Sequence, residues 1–164
     1  MEGKSDPLIK ILKSQLSHAG GWINTILQEI AALDEKTKVS LLEKTGRYCA
    51  ECHSMATVKR IVKETKDMQE RIKRLKEQLH FPEMKVKGKD PIESITLEYP
   101  KMDQPCICPL VQYGVVDLNT TLCECTRGWI KANFEVLLEQ PVRVTIEKTA
   151  AFGDDRCRFK VYPA

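Results

Sequence analysis

The spacing of apolar residues changes along the chain, and this change limits the folds that the sequence can adopt. In the first half, apolar residues recur at steps of three and four, which is the period of an amphipathic helix. The pattern predicts a long helix over residues 9–33, a shorter helix over 38–45 that Gly46 ends, and a second long helix over 57–79. We therefore expect a helical N-terminal region whose apolar faces need a partner.

In the last third, apolar residues alternate with polar ones, which is the period of a half-buried strand. Strands are predicted in this way at residues 95–99, 142–146 and 157–161, and a helix over 126–139 separates the first strand from the other two. Turn residues at 152–155 join the last two strands into a hairpin. The predicted fold class is α+β, with N-terminal amphipathic helices followed by an antiparallel sheet, a packed helix and a C-terminal hairpin.

Residues 82–91 contain two prolines, a glycine and three lysines, a composition typical of a solvated linker. This segment is predicted to divide the chain into two parts. Residues 1–81 would be a helical region that serves in dimerisation or as a lid. Residues 92–164 would be a Cys-rich α+β unit.

The overall composition, 42% hydrophobic and 30% charged in 164 residues, is that of a globular domain. No apolar run approaches the ~18 residues of a membrane span and no signal peptide is recognisable, so we expect a cytoplasmic protein without membrane contact. The formal net charge of +3 is too small to indicate a nucleic-acid partner. No phosphate-binding loop or dinucleotide fingerprint is present, and no nucleotide cofactor is expected.

Seven cysteines are the main candidates for chemistry. Stable disulfides are uncommon in the cytoplasm, so these thiols are interpreted as metal ligands, redox groups or small buried apolar residues. In an extended segment, side chains two residues apart point to the same face, so each Cys-x-Cys pair can present two sulfurs together. Zinc, which accepts four such ligands, is the expected metal. The predicted ligands are Cys106, Cys108, Cys123, Cys125 and Cys157.

Cys49 and Cys52 form a separate Cys-x-x-Cys pair followed by His53. The same pattern attaches c-type haem, but that attachment needs export, so haem is not expected. A redox pair at the start of a helix is a further hypothesis, because the positive end of the helix would favour the thiolate. The simpler alternative is a polar corner between helices with two incidental thiols.

A set of motifs in the C-terminal unit resembles the tail of the 4-vinyl-reductase-like, hydrocarbon-binding domain superfamily. The motifs are Cys-Ile-Cys-Pro-Leu at 106–110, Cys-Glu-Cys-Thr-Arg-Gly-Trp at 123–129, Phe-Glu-Val-Leu-Leu at 134–138, Pro-Val-Arg-Val at 141–144 and Gly-Asp-Asp-Arg-Cys-Arg-Phe at 153–159. More narrowly, they resemble its L-2-amino-thiazoline-4-carboxylic acid hydrolase-like branch. The resemblance implies an α+β domain, often dimeric, with a small apolar pocket between helices and sheet. Some members use this pocket as a ligand sensor, and others are enzymes.

The resemblance also implies a zinc site in phenol-sensing relatives, built from three cysteines and a glutamate. Aligned without gaps, two of these ligands fall on Cys123 and Cys157, and the other two fall on Ile146 and Thr149, which cannot replace them. Another cysteine would have to complete the site: Cys106, Cys108 or Cys125. No catalytic residue follows from the resemblance to the hydrolase branch.

Taken together, these patterns predict a domain that binds or senses a small apolar or aromatic molecule beside a Cys-rich, zinc-binding site. Aromatic residues near the α+β unit would line the ligand pocket: Tyr113, Trp129, Phe134 and Phe152. The long N-terminal helices would form a homodimer. Two alternatives remain open, a hydrolase with a metal-activated water or a Cys nucleophile, and a protein-interaction module with structural cysteines.

Overall fold

The computed structural model describes residues 7–79, 83–99 and 106–164. Six α-helices and four strands follow one another along this part of the chain. The helices are α1 (Pro7–Ala31), α2 (Glu35–His53), α3 (Met55–Glu64), α4 (Met68–Gln78), α5 (Pro109–Gln112) and α6 (Thr120–Leu137). The strands are β1 (Glu83–Lys87), β2 (Ser94–Tyr99), β3 (Val142–Lys148) and β4 (Cys157–Pro163).

The strands form one antiparallel sheet in the order β1-β2-β4-β3, so β3 and β4 are the C-terminal hairpin that the alternation predicts. One face of this sheet is apolar because Ile95, Leu97, Phe159 and Val161 point to the same side and are at most 2% exposed. Residues of α3, α4 and α6 cover this face and share its core. The predicted α+β class is confirmed.

Part of the predicted linker is a strand. β1 pairs with β2 along the edge of the sheet, and its Met84 and Val86 pack against the main core while its glutamate and lysines are exposed. Lysine is common on edge strands because it discourages pairing with another chain. Helices α3, α4 and α6 and the sheet therefore share the main hydrophobic core.

Two predicted helices have different boundaries in the structure. The predicted helix over 57–79 is divided into α3 and α4, because Asp67 begins a new helix by accepting a hydrogen bond from the Glu70 N–H at 2.7 Å. The helix predicted to end at Gly46 instead continues to His53. Gly46 is a contact between helices: an added Cβ would lie 2.5 Å from the Trp129 nitrogen of α6.

Helix α6 begins earlier than predicted, at Thr120 rather than at residue 126. Asn119 caps it by accepting a hydrogen bond from the Leu122 N–H at 3.1 Å. As a consequence, Cys123 and Cys125 lie on a helix and not on an extended segment. Their side chains point about 200° apart around the helix axis, so the prediction that both sulfurs share a face is wrong for this pair.

Helix α1 has two different faces. One face, which includes Leu27, packs on Val116 and Leu122 and forms a small core of its own. Apolar side chains elsewhere on the helix, including Ile11, Leu16 and Trp22, are exposed. Within the described part of the chain, no helix is both long enough and apolar enough to cross a membrane.

Candidate functional site

An open cleft of about 510 Å³ lies where the first turns of α6 meet the start of α2 and the end of β3. Its lining includes Cys123 and Glu124 from α6, Lys38 from α2, and Thr149 and Phe152 from the turn after β3. Cys123 and Thr149 are buried and Phe152 is 77% exposed. The cleft thus has a floor that carries a thiol and a hydroxyl, and an aromatic rim.

Thr149 organises the floor of the cleft. Its hydroxyl oxygen accepts a hydrogen bond from the Ala151 N–H at 3.1 Å and lies 3.0 Å from the Cys123 sulfur. The Cys157 thiol donates to the same oxygen at 3.9 Å. Two cysteines from different elements, α6 and β4, therefore converge on one hydroxyl group.

The turn after β3 holds Thr149 in this position. The Thr149 N–H donates to the Asp154 carboxylate at 2.8 Å, which closes the loop between β3 and β4. Gly153 adopts φ +89°, a left-handed conformation that suits glycine, where the chain reverses. The sequence Thr-Ala-Ala-Phe-Gly-Asp therefore presents Phe152 at the rim while it buries Thr149.

The other cysteines of the C-terminal unit lie close enough to influence one another. The pKa of the Cys106 thiol is raised to about 11, mainly by burial and also by charge repulsion from Cys108, Cys123 and Cys157, while a hydrogen bond from the Cys108 N–H opposes the rise. Burial raises the pKa of Cys125 to about 12, with smaller contributions from Cys49 and Cys108. The Cys123 pKa is also raised by burial, although the Thr149 hydrogen bond opposes this effect. These three thiols are therefore protonated at neutral pH.

The predicted zinc site requires three or more ligands around one point. Among residues 7–79, 83–99 and 106–164, no group of three or more His, Cys, Asp or Glu side chains is arranged to hold a metal ion. The residues present do not fit the metal as they are placed, and we derive no chemistry from zinc.

The Cys-x-x-Cys pair lies at the end of a helix and not at its start. Cys49 and Cys52 occupy the last turns of α2, where the negative end of the helix dipole disfavours a thiolate. Burial raises the pKa of Cys49, and Cys108 and Cys52 add to the rise. The expected thiolate stabilisation at a helix start is therefore wrong for Cys49. A redox role for the pair stays a prediction.

The four predicted pocket residues occupy four different environments. Phe134 is fully buried in the main core, and Trp129 is half-buried between that core and a smaller cluster around Ala50. Tyr113 follows α5 and is 81% exposed. Phe152 lines the cleft. Sequence reasoning did not count Thr149 as a site residue: the ungapped alignment placed it at a ligand position, but a threonine cannot replace the expected zinc ligand there.

The fold and the cleft define an α+β protein in which helices cover one face of a four-stranded antiparallel sheet beside an open, thiol-floored cleft. The chain belongs to the Family of unknown function (DUF6144), whose model matches residues 10–164. A search of curated proteins gave no match.

Two solved structures are similar to this chain. A trafficking protein particle complex subunit 3 from Naegleria fowleri, covalently bound to palmitic acid, is 16% identical over 94% of this chain and 96% of that chain, with a TM-score of 0.51. A vinyl-4-reductase family protein from Methanocaldococcus jannaschii is 14% identical over 99% of this chain and 85% of that chain, with a TM-score of 0.41. The likeness to the first structure shows a shared fold. Membership of the hydrolase-like branch stays a prediction.

Proposed function

We propose that the protein binds a small neutral aromatic molecule in the cleft above Cys123 and Thr149. The observation that supports this most directly is that the cleft brings together a predicted site cysteine and a predicted pocket aromatic, Cys123 and Phe152. Its volume of about 510 Å³ lies within the usual range of small-molecule sites, roughly 300–1,000 Å³. The trafficking protein particle complex subunit of similar fold is covalently bound to palmitic acid, so the fold of that protein accommodates a ligand.

Ion pairs already engage four of the six charged side chains that line the cleft. Lys38 pairs with Glu35 at 2.5 Å, Lys148 pairs with Asp155 at 3.4 Å, and Glu124 pairs with Arg127 at 2.8 Å. A charged ligand would have to displace these ion-pair partners. A neutral aromatic ligand can instead pack its ring on the exposed Phe152 ring, so that both rings lose contact with water.

Cys123 would act in this site as a polarisable contact. Its pKa is raised by burial, so its thiol is not poised to attack a substrate at neutral pH. The hydrolase alternative would need a group that removes the Cys123 proton. No observation on the described residues favours that alternative over binding.

Replacing Phe152 with alanine is expected to weaken binding of phenol, used as the neutral aromatic probe, by about tenfold, because the ring contact at the rim is lost. Binding would be measured by titration with ligand-observed NMR. Tyr113→Ala is the matched control, since Tyr113 is equally exposed but does not line the cleft. Equal loss in both variants, or no saturable binding to the wild type, would contradict the proposal.

A homodimer through α1 belongs to the same proposal. Five apolar side chains along this helix are 38–67% exposed: Ile11, Leu12, Leu16, Trp22 and Ile26. Between residues 11 and 26 the face that they form carries no charged residue, so an identical copy is a sufficient partner. A 25-residue helix is about 37 Å long. Pairing two copies would bury on the order of 1,200 Å², the lower end of specific interfaces.

The variant Leu16→Glu is expected to convert a dimer into a monomer, because it places a charge among the exposed apolar side chains, about halfway along them. Light scattering after size exclusion at about 50 μM protein would measure the mass. Gln28→Glu is the control, since it adds the same charge to an exposed position of α1 outside this face. A wild type that is already monomeric would refute the dimer and leave the cleft proposal intact.

A further inference from the structure

A second cavity lies between α2 and α6, outside the cleft described above. It is a groove of about 360 Å³ whose lining includes Lys36, Lys44 and Arg47 from α2 and Lys131 from α6. One carboxylate, Glu43, lies among these four basic side chains. We call this cavity the basic groove.

The basic groove results from the close approach of α2 and α6. Gly128 faces α2 without a side chain, and an added Cβ would lie 2.6 Å from the Glu43 Cα. The helices therefore pack backbone to backbone at this point, and the long side chains on either side of the contact form the walls. The residues of α2 that line the groove recur at steps of three and four and so lie on one face.

Two of the basic side chains are held in place by carboxylates. Lys131 lies 3.0 Å from Glu43, and Arg47 pairs with Glu135 on the next turn of α6. Glu43 is also 3.4 Å from the Arg127 guanidinium, so its charge is shared between two cations. The acidic groups of this region are thus already engaged.

Lys36 and Lys44 are exposed, and neither makes an ion pair with any carboxylate of the described residues. They add uncompensated positive charge to a concave surface, which focuses the field on an anion. The cleft differs in this respect, because four carboxylates and two lysines line it. The two cavities therefore have opposite charge.

We propose that the basic groove is a binding site for a small polyanion of the phosphate type, with Lys36 and Lys44 as its direct contacts and Lys131 and Arg47 as the fixed walls. A pyrophosphate-sized anion fits the volume, and its several oxygens can meet ammonium and guanidinium donors at once. This site is independent of the cleft, since none of these four residues lines it.

Isothermal titration of the full chain with inorganic pyrophosphate at low ionic strength tests the proposal. We expect saturable binding that weakens about tenfold in the Lys36→Gln, Lys44→Gln double variant, because two short-range charge contacts are lost. The control is Lys59→Gln, Lys76→Gln, which removes the same charge from exposed positions of α3 and α4. Equal weakening in both double variants would show attraction by net charge alone and would overturn the site.

A second variant is expected to bind pyrophosphate more tightly, which a misfolded protein would not do. Glu43→Gln removes the groove carboxylate and frees Lys131 and Arg127, so it is expected to tighten pyrophosphate binding about threefold. Glu51→Gln, at an exposed position of the same helix, makes the same charge change away from the groove and should leave binding unaltered. No saturable binding to the wild type, or no difference between these two variants, would refute the proposal. Failure of phenol to bind in the cleft would not affect either result.

Discussion

Replacement of Gly46 by alanine is expected to lower the free energy of unfolding by about 3 kcal/mol. The added methyl group would overlap the Cys125 carbonyl oxygen and lie 2.5 Å from the Trp129 nitrogen. Both are backbone atoms of α6, so they cannot rotate away, and the two helices would have to separate. This loss exceeds the ~1 kcal/mol that alanine gains over glycine in a helix. Urea unfolding followed by circular dichroism would measure it.

Gly21→Ala is the matched control for this effect. Gly21 also lies inside a helix, but nothing in the described structure lies within 4 Å of an added Cβ. Alanine there should raise the free energy of unfolding by about 0.5–1 kcal/mol through helix propensity alone. If both glycine variants are stabilised, α2 and α6 do not pack as closely as the structure indicates.

The same glycine shows where sequence reasoning reaches its limit. A glycine after a periodic apolar run is a common helix stop, and this rule predicted that a helix would end at Gly46. Its actual role depends on Gly128 and on the backbone of α6, which are distant in the chain. Local patterns contain no information on such a contact.

The strands were easier to predict than the helix ends. β2, β3 and β4 each place alternate apolar residues in the main core, so their alternation is clear in the sequence. β1 has the same alternation in Met84 and Val86. Its lysines and the flanking prolines and glycine are typical of a linker, so the strand was not predicted. For α6, Asn119 is the residue that indicates the true start of the helix, because asparagine is a good N-cap. The first turn that follows it is polar and only weakly periodic, so the apolar pattern did not show this start.

The candidate site was predictable only in part. The resemblance placed Cys123 and Cys157 in one site, and the structure brings both to Thr149. The resemblance also placed Thr149 at a ligand position, but a threonine cannot replace the expected zinc ligand, so its role in joining the two thiols was not identified. Aromatic residue type alone also could not separate Phe134, which is in the core, from Phe152, which is at the cleft rim.

Arg71→Met is expected to be the most destabilising single change considered, with a loss of about 3–5 kcal/mol, because it leaves buried carbonyl acceptors unsatisfied. The Arg71 side chain is 2% exposed and holds three helices together. Its guanidinium donates to the Thr65 carbonyl at 2.9 Å and to the Leu137 carbonyl at 3.0 Å. These carbonyls lie at the ends of α3 and α6, where the helix itself supplies no donor. The guanidinium also donates to the Glu139 carboxylate at 2.8 Å, which lowers the pKa of Glu139. Methionine would fill the space but leave these acceptors without a donor.

Two further variants show whether the cost comes from the hydrogen bonds or from charge. Arg71→Lys keeps the charge but cannot reach acceptors on several elements at once, so it should lose about half as much stability as Arg71→Met. Arg74→Met removes an arginine one turn away that pairs with Glu70 and Glu64 at the surface, and solvent can replace those contacts. Its urea midpoint should therefore move far less. An Arg71→Met protein as stable as the Arg74→Met protein would mean that the carbonyl groups at the ends of α3 and α6 do not depend on Arg71.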